Sequence, residues 1–258
     1  MDWTEGAVLA AAAVAAGAVN SVAGGGTLIS FPALVHGAHL DLRVANATST
    51  VALWPGWWGA IGGYRKDLVG ARALMVRLAV PSLLGGGFGA LLLLFTGERT
   101  FHLVVPWLVL LATALFAASE RIAERFRAGE GGGDPRPGPG AMLYQFGVAT
   151  YGGYFGAGAG ILMLAALGTL GMRDVHRMNG VKTVLGLLLN AVALLVFVFA
   201  RESIVAWPQA LLMMVAALAG GFAGAKAAKR VPKGAVRGFV VVCGLAVAGV
   251  EFWRAYGR

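Results

Sequence analysis

The sequence predicts an all-α polytopic membrane protein made of two inverted repeats, each a glycine-broken re-entrant hairpin followed by three transmembrane helices. Three observations point there. Hydrophobic residues make up 58% of the 258 residues and charged ones only 13%, far from the roughly one-half and one-quarter of soluble domains. Landmarks also recur at one spacing. Gly24-Gly25-Gly26-Thr27-Leu28 is answered by Gly158-Ala159-Gly160-Ile161-Leu162 and Gly86-Gly87-Phe88 by Gly220-Gly221-Phe222, both 134 residues on, and Arg43 to Thr50 by His176 to Thr183 at 133. Matches in one order at one spacing mark a duplication. The third observation is the alternation of loop charge, taken up below.

The run 7–36 and its counterpart 141–171 each hold about 30 residues. One straight helix of that length would reach ~45 Å, too long for a ~30 Å hydrocarbon core, whereas two full spans need ~40 residues. A pair of half-length helices with the glycines at the tip fits better. Backbone unwound at that depth is tolerated only against protein or a wet cavity. Six other runs, 45–64, 73–95, 101–119, 179–200, 204–225 and 235–253, approach the ~20 residues of a spanning helix. Residues 127–140 form the only long polar stretch, rich in Gly and Pro, and read as a surface linker. The expected organisation is a first membrane repeat at 1–126, a cytoplasmic linker at 127–140 and a second repeat at 141–258.

Loop charge sets the orientation. Arg65, Lys66, Arg72 and Arg77 follow the first full span; Arg121, Arg125, Arg127 and Arg136 surround the linker; Lys226, Lys229, Arg230, Lys233 and Arg237 fill the loop 226–237. These three regions belong in the cytoplasm. The loops with Glu98 and Arg99, and with Arg201 and Glu202, are neutral and belong outside. On this count each hairpin enters and leaves on one side, the two from opposite faces, and each repeat crosses three times. An odd number of crossings inverts the second copy. The exceptions are Arg254 and Arg258, which this scheme leaves outside.

Several function classes are excluded. The formal charge of +9 mostly describes loops and does not call for nucleic acid. Cys243 is the only cysteine, so no intrachain disulfide or CxxC pair exists. Asp2 and Glu5 precede the first Ala-rich run with no basic residue among them, unlike a signal peptide. Gly180-Val181-Lys182-Thr183 lacks the glycine directly before lysine that a phosphate loop requires. The twelve acidic residues fall at or near run ends or in the linker, which argues against carboxylate-bound metals, a carboxylate-pair enzyme and an acidic proton relay. No catalytic residue, cofactor or metal is expected. Trp54, Trp57, Trp58, Trp107 and Trp207 read as interfacial belt residues. His36 and His39 read as solvated loop residues.

The candidate site lies where the two hairpin tips would meet near the midplane. Gly24, Gly25, Gly26 and Thr27 form one tip, and Gly156, Gly158 and Gly160 the other. Glycines leave backbone N–H groups unshielded, and a half-helix beginning after them aims its positive end at the cavity, which favours an anion. For any single glycine, close helix packing is an equal alternative; the pairing of the two breaks favours the functional one. Within Gly85/Gly89 and Gly220/Gly224, packing is favoured. The helix starts after the hairpins add Asn46, Thr48, Ser49 and Thr50 in the first copy and Asn179, Lys182 and Thr183 in the second. Lys182 lies about one turn into a span, where it either faces a cavity or snorkels to the surface. Asn190, mid-span, is either a substrate donor or an interhelical link.

The block Ala-Gly-Gly-Gly-Thr-Leu-Ile-Ser-Phe-Pro-Ala-Leu at 23–34, the helix start Ala45-Asn46-Ala47-Thr48-Ser49, the exit Tyr64-Arg65, and Asn179-Gly180-Val181-Lys182-Thr183 followed by Asn190 resemble the TauE/SafE sulfite exporter family of membrane transporters. The resemblance covers nearly the whole chain in order. It implies movement of sulfite, sulfonates such as sulfoacetate, or other small sulfur-containing or organic anions. The second tip departs from a glycine triplet, with Ala159 between Gly158 and Gly160. The expected function is a secondary transporter of a small organosulfur or related anion in the cell inner membrane, working by alternating access with proton coupling. An intramembrane enzyme or a passive anion channel is the alternative. Expected partners are the anionic substrate and the lipid bilayer, with no nucleic acid; a homodimer is left open.

Overall fold

The computed structural model describes residues 2–22, 24–127, 137–200, 204–227 and 233–257. Among them the chain forms helices and no strand: α1 (Trp3–Val22), α2 (Thr27–Pro32), α3 (Leu42–Tyr64), α4 (Arg72–Phe95), α5 (Glu98–Arg127), α6 (Pro139–Tyr154), α7 (Ala159–Thr169), α8 (Val175–Val198), α9 (Trp207–Ala227) and α10 (Lys233–Tyr256). Every expected span is a helix, with ends moved by a few residues. Helix α5 runs on to Arg127 and α6 begins at Pro139, so most of the expected linker, including Arg136, lies outside the described residues. Of the two neutral loops, Arg201 and Glu202 lie outside them as well.

Among the described residues six helices are long and apolar enough to cross a membrane: α1, α4, α5 over Glu98–Ser119, α8, α9 and α10. Two of the expectations need correcting here. Helix α1 has 20 residues, ~30 Å of rise, and is not a half-length arm. Its start is drawn out to Trp3 by a local cap: the Asp2 carboxylate accepts from the Glu5 N–H and the Thr4 hydroxyl, both at 2.7 Å, satisfying donors that a helix start leaves free. Helix α3 has the length of a span, 23 residues, but not the apolarity. It carries Asn46, Thr48, Ser49 and Thr50, all buried, and is an interior helix whose polar face meets protein.

Glycine ends the first arm of each broken segment. Gly24, at φ +82°, follows α1, and Gly156 and Gly158, at +84° and +80°, separate α6 from α7. This left-handed backbone disfavours residues with a Cβ. After the first break α2 is short because Pro32 has no N–H to give. The chain continues as a π-helical segment, Ala33–Gly37, with Ala38 N–H bonded to Ala33 O at 3.2 Å, a five-residue spacing. The segment returns alongside α1: a Cβ on Gly37 would sit 3.7 Å from Val8. Helix α7 likewise folds back on α6, with the Tyr144 hydroxyl 3.4 Å from Leu162 O.

The helices pair in a pattern that respects the duplication. Helix α1 packs on α9 as α6 packs on α4; α3 packs on α9 as α8 packs on α4; α2 meets α10 as α7 meets α5; and α3 meets α8, as α5 meets α10, across the halves. Exchanging α1–α5 with α6–α10 turns this set of pairings into itself. Small residues permit the close approaches, as they do where dispersion rather than hydrophobicity drives association. A Cβ on Gly85 or Gly89 of α4 would lie 2.5 Å from Phe146 O or 2.0 Å from Thr150 O of α6. On α9, the same construction puts Gly220 at 2.1 Å from Val14 O and Gly224 at 2.5 Å from Ala18 Cα of α1. Packing is thus the observed role of both GxxxG pairs.

These contacts set the cost of adding volume. A Cβ on Gly221 would meet the Gly56 carbonyl oxygen at 2.1 Å, whereas Gly147 in α6 has nothing within 4 Å. Gly221→Val is expected to cost about 3 kcal/mol or more through overpacking, and Gly147→Ala to be neutral or to stabilise its helix by up to about 1 kcal/mol. Thermal midpoints of the purified variants in detergent check both.

Candidate functional site

The two breaks meet in the middle of the fold. A Cβ on Gly24 would lie 2.6 Å from Gly160 Cα, and one on Gly160 would lie 2.7 Å from Gly24 Cα, so the two backbones cross with no side chain between them. Beside the crossing is a cavity with about 20 Å³ open to the centre of a water molecule, room for one or two waters. Both broken segments line it, through Asn20, Gly24 and Thr27 on one side and Gly152, Gly156, Ala159, Gly160 and Met163 on the other. The rest of the wall is α3, with Thr50, Leu53 and Trp57, and α8, with Gly186, Leu189 and Asn190.

The two long helices contribute by the same register. Asn46, Thr50, Leu53 and Trp57 follow one another at four, three and four residues, as do Asn179, Thr183, Gly186 and Asn190. Such spacing lines one helix face, and each member of the first stripe is 133 residues from its counterpart. The stripes differ where the cavity needs them to. Trp57 fills the space that Gly186 vacates, since a Cβ on Gly186 would lie 2.7 Å from the indole ring.

Of the candidate residues, Gly24, Thr27, Thr50, Gly156, Gly160 and Asn190 face the cavity, and the others stand behind its wall. Gly25 packs against the Phe116 ring, where a Cβ would be 2.4 Å away. The Gly26 N–H donates to Asn20 Oδ1 at 2.8 Å. Gly158 adopts the left-handed N-cap of α7 against Ala112 of α5. Asn46 donates from Nδ2 to Tyr154 O at 2.8 Å. Thr48 Oγ1 accepts from Ala206 N–H at 3.0 Å, and Ser49 shares a 2.6 Å hydroxyl bond with Ser30. Thr183 donates to Asn179 O at 2.6 Å, and Asn190 to Gly186 O at 2.8 Å within its own helix. The side-chain oxygens of Asn46 and Asn179, at equivalent positions, are both buried without a hydrogen-bond partner.

Lys182 is fully buried, so it does not snorkel. Its Nζ donates to Asn20 O at 3.0 Å and Ser21 O at 3.2 Å, carbonyls in the last turn of α1. The break at Gly24 ends the helix and leaves them without helical donors. A cation there also meets the negative end of the helix. The Tyr64 hydroxyl shares the second carbonyl, at 3.2 Å from Ser21 O. Asn46 does the corresponding work across the fold, on the last carbonyl of α6. Each repeat therefore caps the broken helix of the other.

Asn20 and Trp57, both in the wall, escaped the sequence reading as site residues. The four-three-four register from Asn46 would have found Trp57. Trp57 is a buried wall residue rather than a belt residue, and Trp54 donates its indole N–H to Leu187 O at 3.2 Å. Among the described residues one carboxylate is buried, near the end of its apolar run. Glu251 of α10 is 2% exposed, 3.5 Å from His36 Nε2 and 3.6 Å from Arg254, away from the cavity. His36 is thereby engaged rather than solvated; His39 remains exposed.

The crossing can be separated from backbone strain. Gly24 and Gly171 both have positive φ, +82° and +91°, but only Gly24 has a neighbour to meet. Gly171→Ala is expected to lose about 1 to 2 kcal/mol from the left-handed conformation alone, and Gly24→Ala to lose about 1 to 3 kcal/mol more from overlap. The difference between their thermal midpoints measures the crossing.

A family described as sulfite exporter TauE/SafE matches residues 9–250. The chain is 24% identical over 255 residues to the probable membrane transporter protein YfcA of Escherichia coli K12, covering 97% of this chain and 91% of that protein. The YfcA proteins of the CFT073 and O157:H7 strains match equally. No solved structure matches. The family and its named relatives are membrane transporters, not enzymes. With a match from the first helix to the last, the chain belongs to the TauE/SafE sulfite exporter family and is a multi-pass membrane transporter.

Proposed function

We propose that the protein is a secondary transporter in the cell inner membrane that carries sulfite, sulfoacetate or a related small sulfonate, coupled to protons, by alternating access between two inverted repeats. The observation that carries this reading is a cavity walled by both broken segments and by matching faces of α3 and α8. A site shared between two repeats is one that rocking of one repeat against the other exposes to either side in turn. The self-consistent exchange of helix pairings and the alternation of loop charge support the inverted arrangement. The return of Gly37 to Val8 supports the re-entrant course of the first hairpin, even with a long α1.

The chemistry of the wall favours a small anion. Its polar side chains are the neutral Asn20, Thr27, Thr50 and Asn190, and it has no carboxylate. The start of α7, at Ala159 and Gly160, forms part of it, so the positive end of that helix faces the cavity. Lys182 lies one hydrogen bond behind Asn20. Room for one or two waters is too little for an anion of four or more heavy atoms, which fits a contracted state between two open ones.

Proteoliposomes loaded with buffer and offered labelled sulfite or sulfoacetate test this, with protein-free vesicles as the control for passive leak. The expected result is saturable flux towards the alkaline side of an imposed pH gradient. Absence of flux for any small anion would sink the reading, and currents far above about 10³ ions per second, beyond the usual turnover range, would replace it with a channel.

A further inference from the structure

A lysine buried without a counter-charge is the least accounted-for group in the molecule. Lys182 is 0% exposed, and its only polar partners are the carbonyls of Asn20 and Ser21. Among the described residues no carboxylate pairs with it. Burying an ammonium this way costs several kcal/mol unless it is compensated or gives up its proton. The carbonyls serve either form, since a neutral amine also donates to them. An anion in the adjoining cavity supplies what is missing. Asn20 and Gly160 both line that cavity; the first holds Nζ, and a Cβ on the second would be 3.3 Å from Lys182 Cδ.

We propose that Lys182 is the proton carrier of the transport cycle, taking up a proton as the anion enters and losing it as the anion leaves, so that the two cross together. The proposal rests on the anion-transport reading above. It follows from linkage: whatever favours the charged lysine when the anion is present must bind more tightly when the lysine is charged. No bond is made or broken other than the N–H bond of the ammonium, and the proton comes from and returns to water on the side to which the cavity is open.

The surroundings leave Lys182 as the group best placed for this. From α3, Tyr64 reaches the same Ser21 carbonyl, and Arg65, Lys66 and Asp67 follow it in the turn beyond. The last turn of α1 and the whole of α7 carry no ionisable side chain, and α6 faces it with none but tyrosines. Helix α4 has only Arg72 and Arg77, both exposed. The start of α8 and the residue before it bring Asp174, His176 and Arg177, one to two turns away. Glu251, buried at the end of α10, and the partly exposed His36 beside it line no part of the cavity.

The test uses the full chain in detergent with sulfoacetate, which has no group titrating near neutrality, and reads proton uptake on binding with a pH dye in weak buffer. For the wild type, about one proton is expected per anion bound, with affinity falling about tenfold per pH unit once the free lysine is neutral. Lys182→Arg, permanently charged, is expected to bind with no proton uptake and no such pH dependence. Lys182→Gln is expected to lose uptake and to bind at least tenfold more weakly. If the wild type binds neither sulfoacetate nor sulfite, the anion reading fails and this proposal with it. If it binds without taking up protons, or if Lys182→Arg still takes them up, the anion reading stands and the role given to Lys182 is wrong. A purely structural lysine would leave proton uptake in the arginine variant unchanged, so the wild-type measurement and that variant decide the matter even where the glutamine variant does not fold.

Discussion

A helix broken inside an apolar protein leaves carbonyls and N–H groups with no water to meet them, and the rest of this structure is arranged around satisfying two such breaks. Each freed group costs of order 1 to 3 kcal/mol if left alone. The N–H of Gly26 goes to the Asn20 side chain, and the carbonyl of Ala157 takes the Tyr151 hydroxyl at 2.6 Å. The ends of α1 and α6 are capped from the opposite repeat, by Lys182 and Asn46. Because the caps are exchanged, neither hairpin is complete without the other half of the chain.

This exchange ties the cavity to the integrity of the breaks. The residues that cap the broken helices sit on the same helices, α3 and α8, whose next turns line the cavity. A shift of one repeat against the other therefore changes the wall and the caps together. Close packing through Gly56, Gly85, Gly89, Gly220 and Gly221 keeps the rest of each contact stiff, since backbones that touch directly have little room to deform continuously. The buried Glu251 supplies a partner to Arg254, a positive residue that loop charge alone left on the less basic side.

The fold was largely legible because its signals are local or periodic. Apolar run length marked five of the six spanning helices among the described residues to within a few residues, and the recurrence near 134 residues is consistent with the exchange of helix pairings. What misled was the assumption that a glycine break divides its run evenly. Asp2 extends α1 by a capped turn, so the first arm is longer than its partner. Trp57 was misjudged for a related reason: tryptophan is common at membrane interfaces, and nothing in its own neighbourhood tells that Gly186, more than a hundred residues away, makes room for its ring.

The sequence by itself determined the membrane class, the recurrence of its landmarks, the glycine breaks and the polar helix starts beside them, because composition and spacing along one chain are enough to fix each of these. Only the tertiary structure decided what the polar residues do. Whether Asn46 or Lys182 faces a ligand or caps a helix depends on which carbonyl lies within about 3 Å of its tip, and that carbonyl belongs to the other repeat. The meeting of Gly24 with Gly160, rather than of equivalent glycines, is likewise a matter of how two halves dock. Contacts of that kind span more than a hundred residues and leave no local pattern, so they exist only once the chain has folded.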